Sequence, residues 1–511
     1  MQYKGILILD FGSQFTQLIA RRIREMNVYC EIHPCTEPFH SEWQYDGLIL
    51  SGGPASVLGD EAPDFDPRWM SSSTTILGVC YGMQILALQT GCRIEQGQKR
   101  EYGQSTLLLE ASHRFVDGIP KSSTAWMSHG DHVEEVGLDW TVLGRSDSGV
   151  IAAIGHRTNP WVAVQFHPEV AHTEYGEDLL RNFVLGMCEA PEEWNMGNFV
   201  SDQVSQLQTK LGDDHVICGL SGGVDSSVTA AILQRAIGDR LHCVFVDNGL
   251  LRSGEREAVE QEFSDLNLTV VDASEQFLTA LEGITEPEAK RKTIGRVFIE
   301  VFDVEARRLS KIHGKMSWLA QGTLYPDVIE SMSFRGPSAT IKSHHNVGGL
   351  PEEMDFQLIE PLRELFKDEV RTLGLELGLS HERVYRHPFP GPGLAVRMLG
   401  PISADRLDLL RRADRIFIDE IRNFGWYDKI WQAGVVFLPV KSVGVMGDSR
   451  TYEWTVALRA VHSRDGMTAD VVRLPWELLE KVSTRIINEI RGINRVAYDV
   501  SNKPPATIEW E

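Results

Sequence analysis

Residues 221–227, SGGVDSS, constrain the fold of this chain more than any other stretch. An apolar run at 216–220 precedes them and is typical of a buried strand, and an apolar run at 228–233 is typical of a helix. A strand, a Gly/Ser turn and a helix gather unpaired backbone N–H groups around one small concavity, which favours an anion such as a phosphate. The stretch therefore predicts an α/β domain with a phosphate site. Its alternative is an ordinary Gly/Ser turn.

The loop differs from the common nucleotide P-loop because it lacks a Gly-Lys-Ser/Thr ending. It resembles the PP-loop of the ATP pyrophosphatases, a family that holds the pyrophosphate of ATP while the α-phosphate is attacked. The resemblance implies that ATP contacts the loop and residues at the ends of neighbouring predicted strands. The candidate ATP-binding residues are Ser221, Gly222, Gly223, Val224, Asp225, Ser226, Ser227, Asp247 and Gly322.

Asp225 is also the candidate ligand for Mg²⁺. Magnesium is usually held by one or two carboxylates together with the phosphates of the substrate. Asp247 ends a second predicted strand, 241–246, where a contact with adenosine or a metal is plausible. For isolated aspartates at strand ends, a simple turn or cap role is the alternative.

The chain, at 511 residues, is too long for one hydrophobic core, and its composition of 42% hydrophobic and 24% charged residues is that of a globular protein. Pro and acidic residues at 188–195 and a Gly/Pro-rich stretch at 386–394 predict two boundaries. The predicted domains are 1–193, 194–386 and 387–511. The first two are predicted to be α/β domains with doubly wound parallel sheets, and the third a smaller α+β domain.

The charge and the cysteines exclude several classes of protein. A formal net charge of −22 argues against binding to nucleic acid or to an anionic membrane. The seven cysteines include no CxxC pair, so neither a disulfide framework nor a zinc site is indicated. The sequence also has no signal peptide and no run of eighteen apolar residues. These observations predict a cytoplasmic protein without a membrane or nucleic-acid partner.

The N-terminal domain carries a candidate nucleophile. Cys80 follows a predicted strand, 75–79, inside GVCYGMQ, where a helix N-terminus favours its thiolate. His167 and Glu169 follow another predicted strand, 161–166, and supply a base and a carboxylate that orients it. Taken singly, a cysteine is more often a small core residue and a histidine more often structural.

The combination of GVCYGMQ, the SGGP turn at 51–54 and QFHPE resembles the class I glutamine amidotransferases, in that family's chain order. The resemblance implies that Cys80 attacks the side-chain amide of glutamine, that His167 shuttles protons and that Glu169 orients His167. It also places the two oxyanion-stabilising amides at Gly53 and Tyr81. Gln84 is expected to help hold the glutamine.

Two further stretches carry candidate charges. Asp327 and Glu330 are three residues apart and face one direction if they lie on a helical turn. Residues 333–350, rich in Gly, Pro, Ser and His, predict a mobile lid in which Lys342 neutralises phosphate, with a basic exposed loop as the equal alternative. The segment 501–511 contains a Lys, two prolines and a Thr that could clamp a phosphate, and its alternative is a frayed terminus.

Taken together, SGGVDSS, HHNVGGLP, PFPGPGLAVR and the KPPATIEWE ending resemble the glutamine-hydrolysing GMP synthases over essentially the full length. The resemblance implies that ATP adenylates XMP and that ammonia from glutamine displaces AMP to give GMP. It assigns Asp327, Glu330 and Lys342 to the synthetase site. It assigns Lys503, Thr507 and Glu509 to XMP, together with the less distinctive Arg464. A Mg²⁺ ion and a homodimer through the C-terminal domain are also implied.

The residues alone indicate only an ATP pyrophosphatase that is coupled to a supply of ammonia, so three alternatives stay open. One is a synthetase of the same mechanism with another acceptor, such as nicotinate adenine dinucleotide or aspartate. Another is a tRNA-modifying PP-loop enzyme, which the acidic composition disfavours. The third is a regulatory module that binds glutamine and nucleotide without turnover.

Overall fold

The structure, a computed structural model, describes residues 4–60, 62–71, 73–331, 356–446, 449–463 and 468–511. The predicted site residues Lys342 and Arg464 lie outside these residues, as does the whole predicted lid, 333–350. The chain divides into two compact units. The first runs as far as Asp202 and takes in the helix Tyr325–Ser331, and the second contains the rest of the described chain.

The strands are β1 (Gly5–Asp10), β2 (Tyr29–Pro34), β3 (Gly47–Leu50), β4 (Ile76–Val79), β5 (Arg93–Leu109), β6 (Ser122–Glu135), β7 (Trp140–Ser146), β8 (Ile151–His156), β9 (Trp161–Val164), β10 (His215–Leu220), β11 (Leu241–Asp247), β12 (Asn267–Asp272), β13 (Met316–Ala320), β14 (Gln357–Ile359), β15 (Gln432–Met446), β16 (Ser449–His462), β17 (Asp470–Val471) and β18 (Ile493–Tyr498). The helices are α1 (Thr16–Glu25), α2 (Tyr81–Gln89), α3 (Gly176–Arg181), α4 (Met196–Leu211), α5 (Val224–Ile237), α6 (Glu255–Glu262), α7 (Ser274–Ala280), α8 (Pro287–His313), α9 (Tyr325–Ser331), α10 (Lys367–Glu376), α11 (His381–Val384), α12 (Ala404–Asn423) and α13 (Trp476–Glu489).

The first unit is built on a nine-stranded sheet with the order β2-β1-β3-β4-β9-β8-β7-β5-β6. Its first five strands are parallel and its last four are antiparallel. The parallel strands are short, nearly continuous apolar runs, because helices cover both faces of a parallel sheet. Helix α2 is buried from Tyr81 to Ala87, so it has no solvent face, and it contacts strands from both parts of the sheet.

The second unit contains a five-stranded parallel sheet with the order β12-β11-β10-β13-β14. From β10 the chain first builds outward to β11 and β12, and it later returns to add β13 and β14 on the other side. The strand order therefore reverses between β10 and β13, which is where open α/β sheets bind ligands. The predicted phosphate loop follows β10, and Gly322 follows β13.

A separate, largely antiparallel sheet of β15, β16 and β17 follows in the second unit, with β18 added parallel to β16. Helices α12 and α13 pack on this sheet through their buried leucine, isoleucine and valine side chains. This part matches the predicted α+β architecture of the C-terminal region.

Most predicted elements are confirmed, with ends that differ by one to four residues. Other differences are larger, and the 27-residue helix α8 is among the elements without a prediction. The sequence predicts a strand at 440–445, whereas strand β15 begins eight residues earlier, at Gln432. Pro439 interrupts the apolar pattern, and the pairing of β15 with β16 is irregular between Leu438 and Lys441. The antiparallel strands β5–β8 of the first unit were not predicted. In β5 and β6, polar and apolar residues alternate, so these strands lack the continuous apolar runs of the parallel strands. Strand β8 does contain such a run, at 151–155, and has no prediction all the same. The predicted domain boundaries stay predictions.

The close approach of α2 to β3 gives a test of the fold. A Cβ at Gly82 would lie 2.0 Å from the carbonyl oxygen of Leu50, so Gly82→Ala is expected to lower the unfolding midpoint. The expected loss is roughly 5 °C or more in calorimetry, since backbone must shift to relieve the clash. Gly295→Ala in α8 is the control, because nothing lies within 4 Å of its Cβ position and alanine favours a helix by about 1 kcal/mol. Equal midpoints for the two variants would contradict this packing.

Candidate functional site

Cys80 lies on a strained turn between β4 and α2. Its backbone φ of 53° is in the left-handed region, which costs a residue with a side chain about 1–2 kcal/mol. The turn is held on both sides, because the N–H of Cys80 donates to Val164 O at 2.8 Å and that of Gly82 to Ser51 O at 3.0 Å. The sequence favours this geometry because Gly78 and Gly82 leave room for the backbone to turn sharply. The turn places the Cys80 sulfur at the N-terminus of α2.

His167 and Glu169 lie just beyond the carboxyl end of β9, next to β4 in the sheet. The Nδ1 atom of His167 lies 2.7 Å from Oε1 of Glu169, and both side chains are buried. Burial disfavours the charged form of His167, but its hydrogen bond to Cys80 and the charge and hydrogen bond of Glu169 outweigh it. Together they raise the pKa of His167 to about 10. The arrangement therefore favours a protonated imidazole beside the Cys80 sulfur at neutral pH.

Two neighbours of the Cys80 sulfur were not predicted. The Sγ atom lies 3.6 Å from Ser128 O and 3.8 Å from Nε2 of Gln165. The amide of Gln165, which is fully buried, favours a negative charge on the sulfur. Gln165 is the first residue of QFHPE, so the motif contained the signal. Ser128 lies on β6, in the part of the sheet that the sequence did not predict.

A cavity of about 830 Å³ opens at Cys80. Its lining includes the predicted residues Gly53, Tyr81, Gln84 and His167. Within the described part of the chain, neither the Gly53 N–H nor the Tyr81 N–H donates a hydrogen bond to another protein atom. An oxyanion hole requires N–H groups that are available in this way. The amide nitrogen of Gln84 already donates to Asp131 O at 2.7 Å and to Gln165 Oε1 at 3.2 Å. Contact between Gln84 and a ligand therefore goes through its carbonyl oxygen.

The predicted phosphate loop lies in the second unit, where residues 221–223 connect β10 to α5 and residues 224–227 form the first turn of α5, which begins four residues before the predicted helix. Gly222 has a φ of 74°, which glycine adopts at no steric cost. Two guanidinium groups hold its carbonyl oxygen, from Arg383 at 2.9 Å and from Arg386 at 2.8 Å. The hydroxyls of Ser226 and Ser227 donate to Gly223 O at 3.1 and 2.8 Å, which closes the first turn of the helix. The carbonyl oxygens of Gly222 and Gly223 are thus bonded, and the N–H groups of Ser221 and Gly223 donate to the Ser226 and Ser221 hydroxyls at 3.2 and 3.3 Å. The N–H groups at the start of α5 are of the kind that suits an anion.

Asp225 lies in the first turn of α5, where Lys367 Nζ donates to its two carboxylate oxygens at 2.6 and 2.7 Å. Gly322 packs against the same turn, since a Cβ there would lie 3.1 Å from the Asp225 carbonyl carbon. Asp247 accepts from Gly249 N at 2.9 Å and lies 3.5 Å from the Arg256 guanidinium. The structure thus brings Asp225 and Gly322 together. The sequence alone left the role of Lys367 open.

The segment 499–511 is ordered by buried partners. Glu509 receives hydrogen bonds from Arg397 Nη2 at 2.8 Å, Arg397 Nε at 3.0 Å and Gln432 Nε2 at 3.0 Å. Burial opposes the charged form of Glu509, but Arg397 outweighs it and holds the pKa of this carboxyl below its usual value. Lys503 pairs through its main chain with Ala469 at 2.8 and 3.0 Å. The Thr507 hydroxyl donates to Glu509 O. The alternative of a frayed terminus is therefore wrong.

Asp327 and Glu330 both lie on α9, so the predicted helical turn is present. This helix groups with the first unit, where the Ile32 N–H donates to the Tyr325 hydroxyl. In the described part of the chain, no group of three or more His, Cys, Asp or Glu residues has the arrangement of a metal site.

Comparison with known proteins matches three parts of the chain to three family models. Residues 7–187 match the family model described as glutamine amidotransferase class-I, residues 195–259 match NAD synthase, and residues 419–510 match the GMP synthase C terminal domain. A glutamine-hydrolyzing GMP synthase of Nitratiruptor sp. is 54% identical over 100% of both chains. One of Desulfotalea psychrophila is 55% identical over 99% of each.

The chain belongs to the glutamine-hydrolysing GMP synthases. As a GMP synthase it is a carbon–nitrogen ligase that aminates XMP to GMP, with glutamine as nitrogen donor and ATP as co-substrate. The resemblance drawn from the motifs is confirmed, and the other acceptors, the tRNA-modifying enzyme and the module without turnover are set aside. A solved structure of a glutamine amidotransferase from Thermotoga maritima is 17% identical. It covers 42% of this chain and 87% of its own, with a TM-score of 0.29.

The His167–Glu169 pair predicts a shift in the pH profile of glutamine hydrolysis. In the Glu169→Gln variant the negative charge is lost while burial remains, so the pKa of His167 falls from about 10. The imidazolium then loses its proton at lower pH, and the basic limb of kcat/KM against pH moves toward neutrality. We also expect a roughly 10- to 10⁴-fold loss of rate. Glu177→Gln, on the exposed side of α3, is the control. A basic limb that stays in place would contradict the pairing.

Proposed function

We propose that the first unit releases ammonia from glutamine at Cys80 and that the second unit activates XMP with ATP at residues 221–227. The observation that carries the first assignment is the hydrogen-bonded Cys80–His167–Glu169 arrangement at the mouth of a cavity. The second assignment is supported by the loop at the point where the strand order reverses.

In the glutaminase step, the Cys80 thiolate adds to the side-chain amide carbon of glutamine. The Gly53 and Tyr81 amides donate hydrogen bonds to the amide oxygen as negative charge develops on it. His167, which already holds the proton of the thiol, donates it to the departing nitrogen, so ammonia leaves and a thioester remains. A water molecule that gives its proton to His167 then hydrolyses the thioester to glutamate. Glu169 keeps the imidazole oriented and stabilises its charged form throughout.

In the synthetase step, the backbone amides of residues 221–227 bind the pyrophosphate part of ATP. ATP adenylates O2 of the xanthine base, pyrophosphate leaves, and ammonia displaces AMP. Lys503 and Thr507 are proposed to bind the phosphate of XMP. Glu509 is proposed to bind XMP as well. Asp327, Glu330, Lys342 and Arg464 are proposed to join the synthetase site, as the resemblance implies.

A Mg²⁺ ion is proposed to accompany ATP, with Asp225 as its protein ligand. One carboxylate beside a phosphate site is a donor set that Mg²⁺ uses in proteins, so the residues fit the ion. When bound, Mg²⁺ neutralises charge on the phosphates. Lys367 Nζ donates to both oxygens of Asp225 and holds that side chain in place.

The division of labour is tested with Cys80→Ala in an assay of AMP and pyrophosphate release with XMP and ATP. The variant is expected to be inactive with glutamine and to keep at least half of the wild-type rate with ammonium salt, because only ammonia supply needs the thiolate. Omission of Mg²⁺ with a chelator is expected to abolish the reaction from either nitrogen source. Activity of Cys80→Ala with glutamine, or its inactivity with ammonium, would contradict the assignment.

The chain is proposed to form a homodimer through its C-terminal region. The β15–β16 hairpin carries an exposed apolar patch of Val443, Val445 and Tyr452, of which Val445 is 74% exposed. Val443 and Tyr452 lie directly opposite each other, and Val445 is two residues along the same strand, so the three share one face. Apolar patches of this kind mark interaction sites, and the resemblance to the family points to a second copy of the chain.

The dimer is tested by analytical ultracentrifugation of Val445→Glu. A charge in the centre of an apolar contact is expected to raise the dimer dissociation constant at least roughly tenfold, because the carboxylate is desolvated on association. Val304→Glu, at an exposed valine of α8, is the matched control and should sediment as the wild type does. A wild-type chain that is monomeric at micromolar concentration would contradict the proposal.

A cytoplasmic location is proposed as well. All seven cysteines are free thiols, including Cys218 and Cys243, which lie side by side on β10 and β11. Thiols persist where the environment is reducing. Among the described residues, no helix is long and apolar enough to cross a membrane.

A further inference from the structure

Arg459 is a buried arginine on β16, with 4% of its surface exposed. A buried guanidinium is costly unless its donors are satisfied. Here its partners lie in one short segment, residues 499–508. Nη1 donates to Ser501 O at 2.5 Å, Nη2 to Thr507 O at 3.0 Å and Nε to Ile508 O at 3.4 Å. The Asp499 carboxylate lies 3.2 Å from Nη1 and balances the charge.

These contacts close a loop. Ser501 lies before Lys503, and Thr507 and Ile508 lie after the two prolines, so one guanidinium binds both ends of the stretch that carries Lys503 and Thr507. A planar group with five N–H donors in a fixed fork can reach carbonyls on both sides. A lysine ammonium is a point charge, and it cannot hold three carbonyls in this geometry.

Other anchors act at Lys503 itself or farther along the chain. The main chain of Lys503 pairs with Ala469 at 2.8 and 3.0 Å. Arg397 binds the Glu509 carboxylate, and the buried Lys290 donates to Glu511 and, at 2.7 Å, to Met398 O. Arg459 differs from these anchors because it holds the main chain on both sides of Lys503, so it links the position of Lys503, fixed by Ala469, to that of Thr507.

We propose that Arg459 is a positioning residue for XMP. Its guanidinium fixes the separation of Lys503 and Thr507, and with it the fit of the loop to the phosphate of XMP. The inference rests on the proposed role of Lys503 and Thr507 in binding XMP. It goes further in naming the residue that prepares the loop before XMP arrives, which lowers the ordering cost of binding. Arg459 itself touches the protein backbone and carries no part of the chemistry.

The test compares Arg459→Lys with Arg450→Lys, an exposed arginine on the same strand, in the full chain with ammonium salt as nitrogen source. Arg459→Lys keeps the positive charge but loses the planar guanidinium with its five N–H donors. We expect KM for XMP to rise roughly 10- to 100-fold, because at least one carbonyl contact to a charged donor is lost and the loop is no longer held. KM for ATP, kcat at saturating XMP and glutamine hydrolysis are expected to stay within about threefold. Arg450→Lys should match the wild type in all four.

Two further variants separate the possible outcomes. Lys503→Met tests the proposed site itself. If it raises KM for XMP while Arg459→Lys does not, the positioning inference is wrong and the site stands. If neither variant changes KM for XMP, the proposed XMP site is wrong. A parallel rise in KM for ATP, or a fall in kcat, in Arg459→Lys would indicate a general structural role and would overturn the inference.

Asp499→Asn covers the case in which Arg459→Lys does not fold. The amide keeps one acceptor oxygen, for Ser501 N, but loses the oxygen that accepts from Trp510 Nε1 and the charge that pairs with Arg459. We expect a smaller, roughly threefold rise in KM for XMP alone, since the guanidinium keeps its three carbonyls. An unchanged KM for XMP in this variant counts against the inference.

Discussion

Backbone N–H groups left unpaired at the start of a helix are the interaction on which both sites depend. Cys80 precedes α2, and the SGGVDSS loop leads into α5, so each site uses the same strand–turn–helix unit. In the first unit the amides and helix dipole favour a thiolate and an oxyanion, and in the second they favour phosphate. The two chemistries differ because different residues follow the neighbouring strands at the carboxyl edge of each sheet. Strand β9 leads to the His167–Glu169 pair, whereas β13 leads to Gly322.

The second unit uses buried cations to shape an anion site in a chain whose net charge is −22. Arg383 and Arg386 bind the carbonyl of Gly222, and each also pairs with a glutamate, Glu262 and Glu255 respectively. Their charges are thus balanced locally, and their effect is to hold the loop carbonyl so that the loop amides form the site. Arg397 and Arg459 act in the same way on residues 499–511. Buried arginines suit this task because their donors have fixed directions.

The strand–turn–helix units could be predicted because each is local in sequence. Apolar runs such as residues 5–9 and 47–50 predict buried parallel strands, and glycines after them predict sharp turns. The triad residues were found because they lie at the ends of such strands. Strands β5 and β6 were missed because an antiparallel strand with one polar face has weaker apolar patterning. Ser128, which lies 3.6 Å from the Cys80 sulfur, was missed along with them.

The sequence by itself indicated the family, the ATP-dependent and the glutamine-amide chemistry, and Cys80 as the candidate nucleophile, since these depend on residues within short motifs. Only the tertiary structure decided which distant side chains complete the sites. Lys367 forms a hydrogen bond with Asp225, which is 142 residues away in the sequence, and Arg459 forms one with Thr507, which is 48 residues away. No periodicity or spacing encodes such pairs, because each depends on how separate elements pack. The charge of a buried arginine requires a partner, but only the fold determines which partner it finds.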